Sequence, residues 1–208
     1  MEIFAKNDFF KNPEQLRHIA LNLDWSKWNI SEEPIFGGGW RGARSPELST
    51  YNDPILDKAL KEIYSFAWDV MDLSNYTYPE WFNWDNLKED RTCEYLPNRK
   101  IKDPEIKAYF HIWRTKSNKG YQDWWSRYHQ DFIPSAGVVY LTPEAPKDSG
   151  TSIVDCIENE IINVENEYNR LVIYNGFYPH GISKSFGNNK NDSRLTLNFF
   201  IQSKDIGN

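Results

Sequence analysis

Ala136-Gly137-Val138-Val139-Tyr140-Leu141-Thr142 is the stretch that decides the fold. It carries no charge, is rich in β-branched and aromatic side chains, and runs into Pro143-Glu144-Ala145-Pro146, so it reads as a strand closed by a turn. Outward from it, residues 151–156 (TSIVDC), 171–175 (LVIYN) and 194–201 (RLTLNFFI) follow as further strands, and residues 109–113 (YFHIW) precede it. Asp148-Ser149-Gly150 and Gly187-Asn188-Asn189 supply turn chemistry between them.

Before about residue 92 the pattern is helical. Asn12-Pro13-Glu14-Gln15 is a helix start, with Asn as cap, Pro in the first position and an acid in the first turn. Leu16, Ile19, Ala20 and Leu23 then recur at helical spacing. Asn52-Asp53-Pro54 is a second start, and Ile55, Leu56, Ala59, Leu60, Ile63, Phe66, Ala67 and Val70 trace one apolar stripe after it. Helices first and several short strands after them predict an α+β domain spanning residues 1–208, with no repeat or linker. Residues 1–92 form mostly helical support, and residues 93–208 form a jelly roll or related barrel backed by those helices.

The bulk numbers exclude several classes. At 208 residues the chain is long enough for a sizeable core. A net charge of −6 without a run of Lys or Arg disfavours binding to duplex nucleic acid. Mean hydropathy is −0.73 and no apolar run approaches the roughly 20 residues that span a bilayer, so no membrane partner is expected. The N-terminus lacks the apolar stretch of a secretory signal, and only Cys93 and Cys156 are present, which predicts a reduced, cytoplasmic protein.

The chemistry-bearing pattern is His129-Gln130-Asp131, then His180, then Arg194-Leu195-Thr196. Two histidines and one carboxylate can hold Fe(II) on one face and leave the opposite face open. In a strand, residues i and i+2 face the same side, so His129 and Asp131 can converge on one ion while Gln130 points away. A surface His beside a solvated Asp is the plain alternative for that pair. Against it, His180 falls just beyond the strand at 171–175, at a mouth rather than mid-core. Arg194 opens the last strand and shares a face with Thr196 and Asn198, while Leu195, Leu197 and Phe199 share the other. A buried arginine needs a partner. That partner is either a protein carboxylate or a bound one held through a bidentate fork.

These residues carry a family resemblance. His129-Gln130-Asp131, the strand at 136–142, Gly150-Thr151, Asn169 to Gly176, His180 and Ser193-Arg194-Leu195-Thr196 resemble the 2-oxoglutarate/Fe(II)-dependent dioxygenases, over roughly residues 107–202 and in consistent order. Within them the chain is most similar to the prolyl-hydroxylase-like branch and its small phage-encoded members, which extends the expected location to an infected host cell. The resemblance implies a double-stranded β-helix, with Fe(II), 2-oxoglutarate and O2 as cofactor and co-substrates. It implies His129, Asp131 and His180 as iron ligands, Arg194 as the grip on the distal carboxylate, and Thr196 and Tyr140 as hydroxyl donors to it. It also implies hydroxylation of a C–H bond with release of succinate and CO2, on a small-molecule or peptide substrate. Ser149 stands where a second glycine is common before Gly150-Thr151.

Other signals are weaker. Gly37-Gly38-Gly39-Trp40-Arg41-Gly42 matches a dinucleotide-loop pattern but has no strand before it or helix after it. It is a turn, or else a lid from Gly37 to Ser45 with Arg41 and Arg44 at the cleft. His18, His111, Cys93 and Cys156 are expected to be structural, Trp81-Phe82-Asn83-Trp84 to pack, and Trp124-Trp125 to pack or line a groove. Two rival readings stay open: a jelly-roll binding module or virion structural protein with an accidental triad, and a cupin-type metal enzyme that does not use 2-oxoglutarate. Arg194 and Tyr140 discriminate them, because a cupin needs no carboxylate grip.

Overall fold

The structure, a computed structural model, describes residues 2–25, 42–71, 73, 104–113, 128–131, 133–155, 158 and 160–203. In chain order the elements are β1 (Ile3–Lys6), α1 (Pro13–Asn22), β2 (Ala43–Arg44), α2 (Pro54–Val70), β3 (Pro104–Trp113) and β4 (Ser135–Tyr140). They continue with β5 (Thr151–Asp155), β6 (Glu160–Val164), β7 (Leu171–Tyr174), β8 (His180–Ile182) and β9 (Arg194–Ser203). Six strands form the main sheet in the order β1-β7-β4-β9-β3-β2, and a smaller sheet has the order β6-β5-β8. Every pairing is antiparallel. Two antiparallel sheets with crossing connections match a jelly-roll-like arrangement.

Strand alternation sorts the side chains of the main sheet. Val139, Leu141, Leu171, Ile173, Leu195, Leu197, Phe199 and Ile201 share one buried cluster with Leu16 and Ala20 of α1 and Leu56, Ala59, Leu60, Ile63 and Ala67 of α2. Ala136, Val138, Tyr140, Val172 and Tyr174 belong to a second cluster with Ile153 of β5 and with Tyr178. β9 therefore has both faces covered: Leu195 and Leu197 are fully buried on one side, and Arg194 and Thr196 on the other. The period-2 reading of 194–201 assigned those two faces correctly. Gly137 fits where nothing larger does, since a Cβ there would lie 2.3 Å from both the Val172 carbonyl oxygen and the Phe199 ring.

Several local expectations change. Asn12 makes no side-chain cap on α1. Asp53 does cap α2, accepting from the backbone N–H of Ile55 at 2.8 Å and of Leu56 at 3.3 Å. Ile55 is 37 % exposed rather than part of the buried stripe. At 100° per residue it sits about 90° from the centre of the arc formed by Leu56, Ala59, Ile63 and Ala67, so it falls at the rim. β1, β2, β6 and β8 have no counterpart in the sequence reading, which placed His180, the buried first residue of β8, at a mouth beyond a strand. β6 is exposed along most of its length, so it lacks the buried alternation that marks a strand. Ala43–Arg44 is paired in the sheet with Ile112 and His111, so that end of the expected lid is fixed, while residues 37–41 lie outside the described residues. Cys93, Cys156, Trp81-Phe82-Asn83-Trp84 and Trp124-Trp125 also lie outside them. Among the described residues no helix is long and apolar enough to cross a membrane.

Asp53→Ala removes two capping hydrogen bonds at once. It is expected to cost about 1 kcal/mol of stability, read from the midpoint of urea unfolding with an unchanged slope. An unaltered midpoint would show that α2 is held by its packing alone.

Candidate metal centre

His129 and His180 lie opposite each other in an isolated antiparallel bridge. Each donates its backbone N–H to the carbonyl of the other at 2.9 Å. Directly opposed residues project to the same side, and the two imidazoles stand with ring centroids 4.4 Å apart. Asp131, two residues on, donates its N–H to the Gly176 carbonyl at 2.9 Å. Gln130 turns the other way and donates Nε2–H to the Phe177 carbonyl at 2.7 Å. The i, i+2 geometry thus brings together the three side chains singled out in the sequence, and their donor atoms all lie within 4.8 Å of one another.

The details of the cluster test whether a cation fits. His180 Nδ1 lies 2.8 Å from the Tyr178 carbonyl oxygen. A carbonyl can only accept, so Nδ1 carries the proton, and in the neutral ring Nε2 presents a lone pair. That lone pair faces Asp131 Oδ2 at 3.0 Å, and this buried oxygen receives no hydrogen bond of good geometry. Two lone pairs at that distance repel unless a cation sits between them, either a second proton on the ring or a metal ion. His129 Nε2 is 3.6 Å from the other oxygen, Oδ1. Donors at right angles on an ion with bonds of about 2.1 Å stand about 3 Å apart, so the two histidine–Asp131 separations are close to what a small divalent ion takes. The Tyr178 carbonyl also fixes the His180 ring as an outer partner, and the Tyr174 ring packs against it at 4.7 Å between centroids.

Electrostatics hold the ligand forms. Partial desolvation and the neighbouring His180 ring lower the His129 imidazole below its ordinary value, against the pull of Asp131. Burial alone would raise the Asp131 carboxyl, but His180, His129 and Arg44 outweigh it and keep it below its usual range. A neutral imidazole at His129 and an ionised carboxylate are the forms a metal requires. The side chains of His180 and Asp131 are 5 % and 13 % exposed, whereas that of His129 is 51 % exposed, so the cluster opens to solvent at His129.

Arg194 is 1 % exposed. Its Nε donates to the Ser149 carbonyl at 2.9 Å and its Nη2 to the Gly150 carbonyl at 3.2 Å. Among the described residues no carboxylate pairs with it. Burial lowers its pKa, and the neighbours that oppose this are the phenols of Tyr140 and Tyr174. The Tyr140 hydroxyl is 2.8 Å from Thr151 Oγ1. Thr196 lies in the same buried face but donates its hydroxyl to Asn198 Oδ1 at 2.6 Å, so its proton is directed there. Thr151, which the sequence reading placed at the start of the strand at 151–156 and in the Gly150-Thr151 motif without a role of its own, is the polar residue that meets Tyr140. Its place at the start of β5, opposite a strand in another sheet, leaves no local signature. Gly150 is required beside it, because a Cβ would lie 1.7 Å from the Val164 carbonyl oxygen.

The remaining histidines take no part in the cluster. His18 is exposed on α1 beside Asn22, and His111 is buried in β3.

No family model matches the chain, and no curated protein matches it. Solved structures do. A Pseudomonas putida prolyl-4-hydroxylase is similar at 12 % identity and TM-score 0.57, covering 97 % of this chain and 92 % of that one. A prolyl hydroxylase in complex with a hypoxia inducible factor oxygen degradation domain peptide fragment, from Trichoplax adhaerens, is similar at 13 % identity and TM-score 0.56, covering 98 % and 84 %. The protein HygX from Streptomyces hygroscopicus, with nickel and 2-oxoglutarate bound, is similar at 12 % identity and TM-score 0.55, covering 97 % and 82 %. The chain has the fold of the prolyl 4-hydroxylases. At these identities the likeness is one of backbone architecture, so what the site does must be argued from its own side chains.

Proposed function

We propose that the protein is a non-haem Fe(II), 2-oxoglutarate-dependent oxygenase that hydroxylates an unactivated C–H bond with release of succinate and CO2. The observation that carries this reading is the facing pair His180 Nε2 and Asp131 Oδ2, 3.0 Å apart with Nδ1 committed to the Tyr178 carbonyl. His129, Asp131 and His180 hold the metal, which when bound supplies the O2 and one-electron chemistry that side chains lack. Arg194 takes the distal carboxylate of 2-oxoglutarate, because a fully buried guanidinium that meets, among the described residues, carbonyls and phenols but no carboxylate gains most from an anion. The Tyr140 hydroxyl donates to that carboxylate with Thr151 orienting it, and Thr196 joins as a second donor when its hydroxyl turns from Asn198. The half-exposed His129 flank admits the substrate, while the buried strands around Arg194 keep water away from the co-substrate.

The finer assignments follow the same reading. The whole chain is one oxygenase domain whose helices back the β-helix, in the prolyl-hydroxylase-like branch with small phage-encoded members. It works inside the cell on a small molecule or peptide, the latter supported by the peptide-bound neighbour. The test is succinate measured after incubation with Fe(II), 2-oxoglutarate and O2. Succinate is expected only when all three are present, slowly without the prime substrate. No succinate together with no anaerobic binding of 2-oxoglutarate returns the reading to a jelly-roll binding module.

A further inference from the structure

We propose that Asn198 is a positioning residue for the co-substrate: its side-chain amide turns over when 2-oxoglutarate binds and then directs the Thr196 hydroxyl onto the distal carboxylate. The proposal rests on the oxygenase reading above and deepens it.

The register of the main sheet places Asn198. Thr196 pairs with Tyr140, and Asn198 pairs with Val138 on one side and Tyr109 on the other. Phe200 pairs with Ala136, which pairs in turn with Tyr174. Directly paired residues project to the same face, as do residues two apart on a strand. Arg194, Thr196 and Asn198 therefore follow one another on the face that carries Tyr140 and Tyr174. The Tyr174 ring packs against His180 of the metal centre, with 4.7 Å between centroids. Asn198 thus lies one strand step, about 6–7 Å, past the carboxylate grip and toward the row that meets the metal centre. Thr196 is fully buried, while Asn198 is half-buried.

A hydroxyl carries one proton. Thr196 Oγ1 donates it to Asn198 Oδ1 at 2.6 Å, and Asn198 Nδ2 meets no acceptor among the described residues. Once Thr196 gives that proton to a carboxylate held by Arg194, Oγ1 and Oδ1 face each other with lone pairs alone, which is repulsive at this distance. A half-turn of the amide about its last side-chain bond removes the conflict, because it sets Nδ2, a donor, opposite Oγ1. The result is a chain. Asn198 Nδ2–H donates to Thr196 Oγ1, Thr196 O–H donates to the carboxylate, and each bond polarises the next. The same turn changes the atom of Asn198 directed away from Thr196 from a donor to an acceptor. A substrate N–H or O–H that reaches this row therefore meets an acceptor only after the co-substrate is in place.

The experiment is nuclear magnetic resonance of protein labelled with heavy nitrogen, loaded with diamagnetic Zn(II) and titrated with 2-oxoglutarate. The side-chain amide signals of Asn198 are identified by their loss in Asn198→Leu. Saturation is expected to slow exchange of one Nδ2 proton with water by roughly threefold or more, as a new hydrogen bond of ordinary strength does. It should also strengthen the Overhauser contact between that proton and the Thr196 side chain. Thr196→Ser should keep both changes. Thr196→Val, which keeps the shape without the hydroxyl, should bind 2-oxoglutarate through Arg194 and Tyr140 but show no slowing. Unchanged Nδ2 exchange in the saturated wild type overturns the proposal. Equal slowing in Thr196→Val overturns it too, since the bound molecule would then merely cover the amide. Should Thr196→Val fail to bind, the Overhauser contact in the wild type decides, because coverage alone does not bring Nδ2 toward Thr196. Calorimetry that shows no 2-oxoglutarate binding to the Zn(II)-loaded wild type would instead sink the oxygenase reading, and this proposal with it.

Discussion

His180→Ala is expected to weaken Fe(II) or Mn(II) binding by at least roughly a hundredfold. Loss of an outer partner of a metal ligand alone typically costs 10–100-fold, and this change removes a ligand. It also strands Asp131, whose Oδ2 then faces a void instead of a ring nitrogen 3.0 Å away. The ring is buried and packs on Tyr174, so part of any effect could reflect lost packing. His180→Gln separates the two, since it keeps much of the volume but not the imidazole. Titration of metal into both variants, with unfolding midpoints measured in parallel, gives the answer. Wild-type affinity in a folded His180→Ala protein would sink the metal assignment. Tight binding in His180→Gln alone would point to volume.

Arg194→Ala is expected to weaken 2-oxoglutarate binding by roughly 30-fold or more, from a charge-assisted pair worth about 2–5 kcal/mol and a factor of ten per 1.4 kcal/mol. Tyr140→Phe should do less, because it deletes a neutral hydrogen bond worth about 0.5–1.5 kcal/mol net. Neither change should alter metal affinity in the absence of 2-oxoglutarate. The measurement is calorimetric titration of 2-oxoglutarate into the anaerobic Fe(II) protein. Arg194 also holds the Ser149 and Gly150 carbonyls, so the truncation destabilises the fold. Arg194→Met fills more of the space without the charge, and it should show the same loss of 2-oxoglutarate. Undiminished binding in Arg194→Met would remove the dicarboxylate grip and favour the cupin-type or binding-module reading.

By itself the sequence determined what is local. The uncharged run at 136–142 and the two-sided alternation of 194–201 mark strands because side chains alternate along an extended chain, and Gly150 and Pro143 mark their ends. The helix over Pro54–Val70 is legible from its stripe and its capping Asp53. The i, i+2 spacing of His129 and Asp131 places both on one side of the chain wherever the segment lies. Tertiary structure alone decided what those elements face. It set β4 between β7 and β9, and put β5 in the other sheet, so that the Thr151 hydroxyl meets Tyr140. The bridge that opposes His129 to His180 is likewise a long-range pairing, whereas the Tyr178 carbonyl that fixes the His180 tautomer is local, two residues before it. Periodicity specifies which face of a segment is buried. Partner and register depend on packing summed over the whole core.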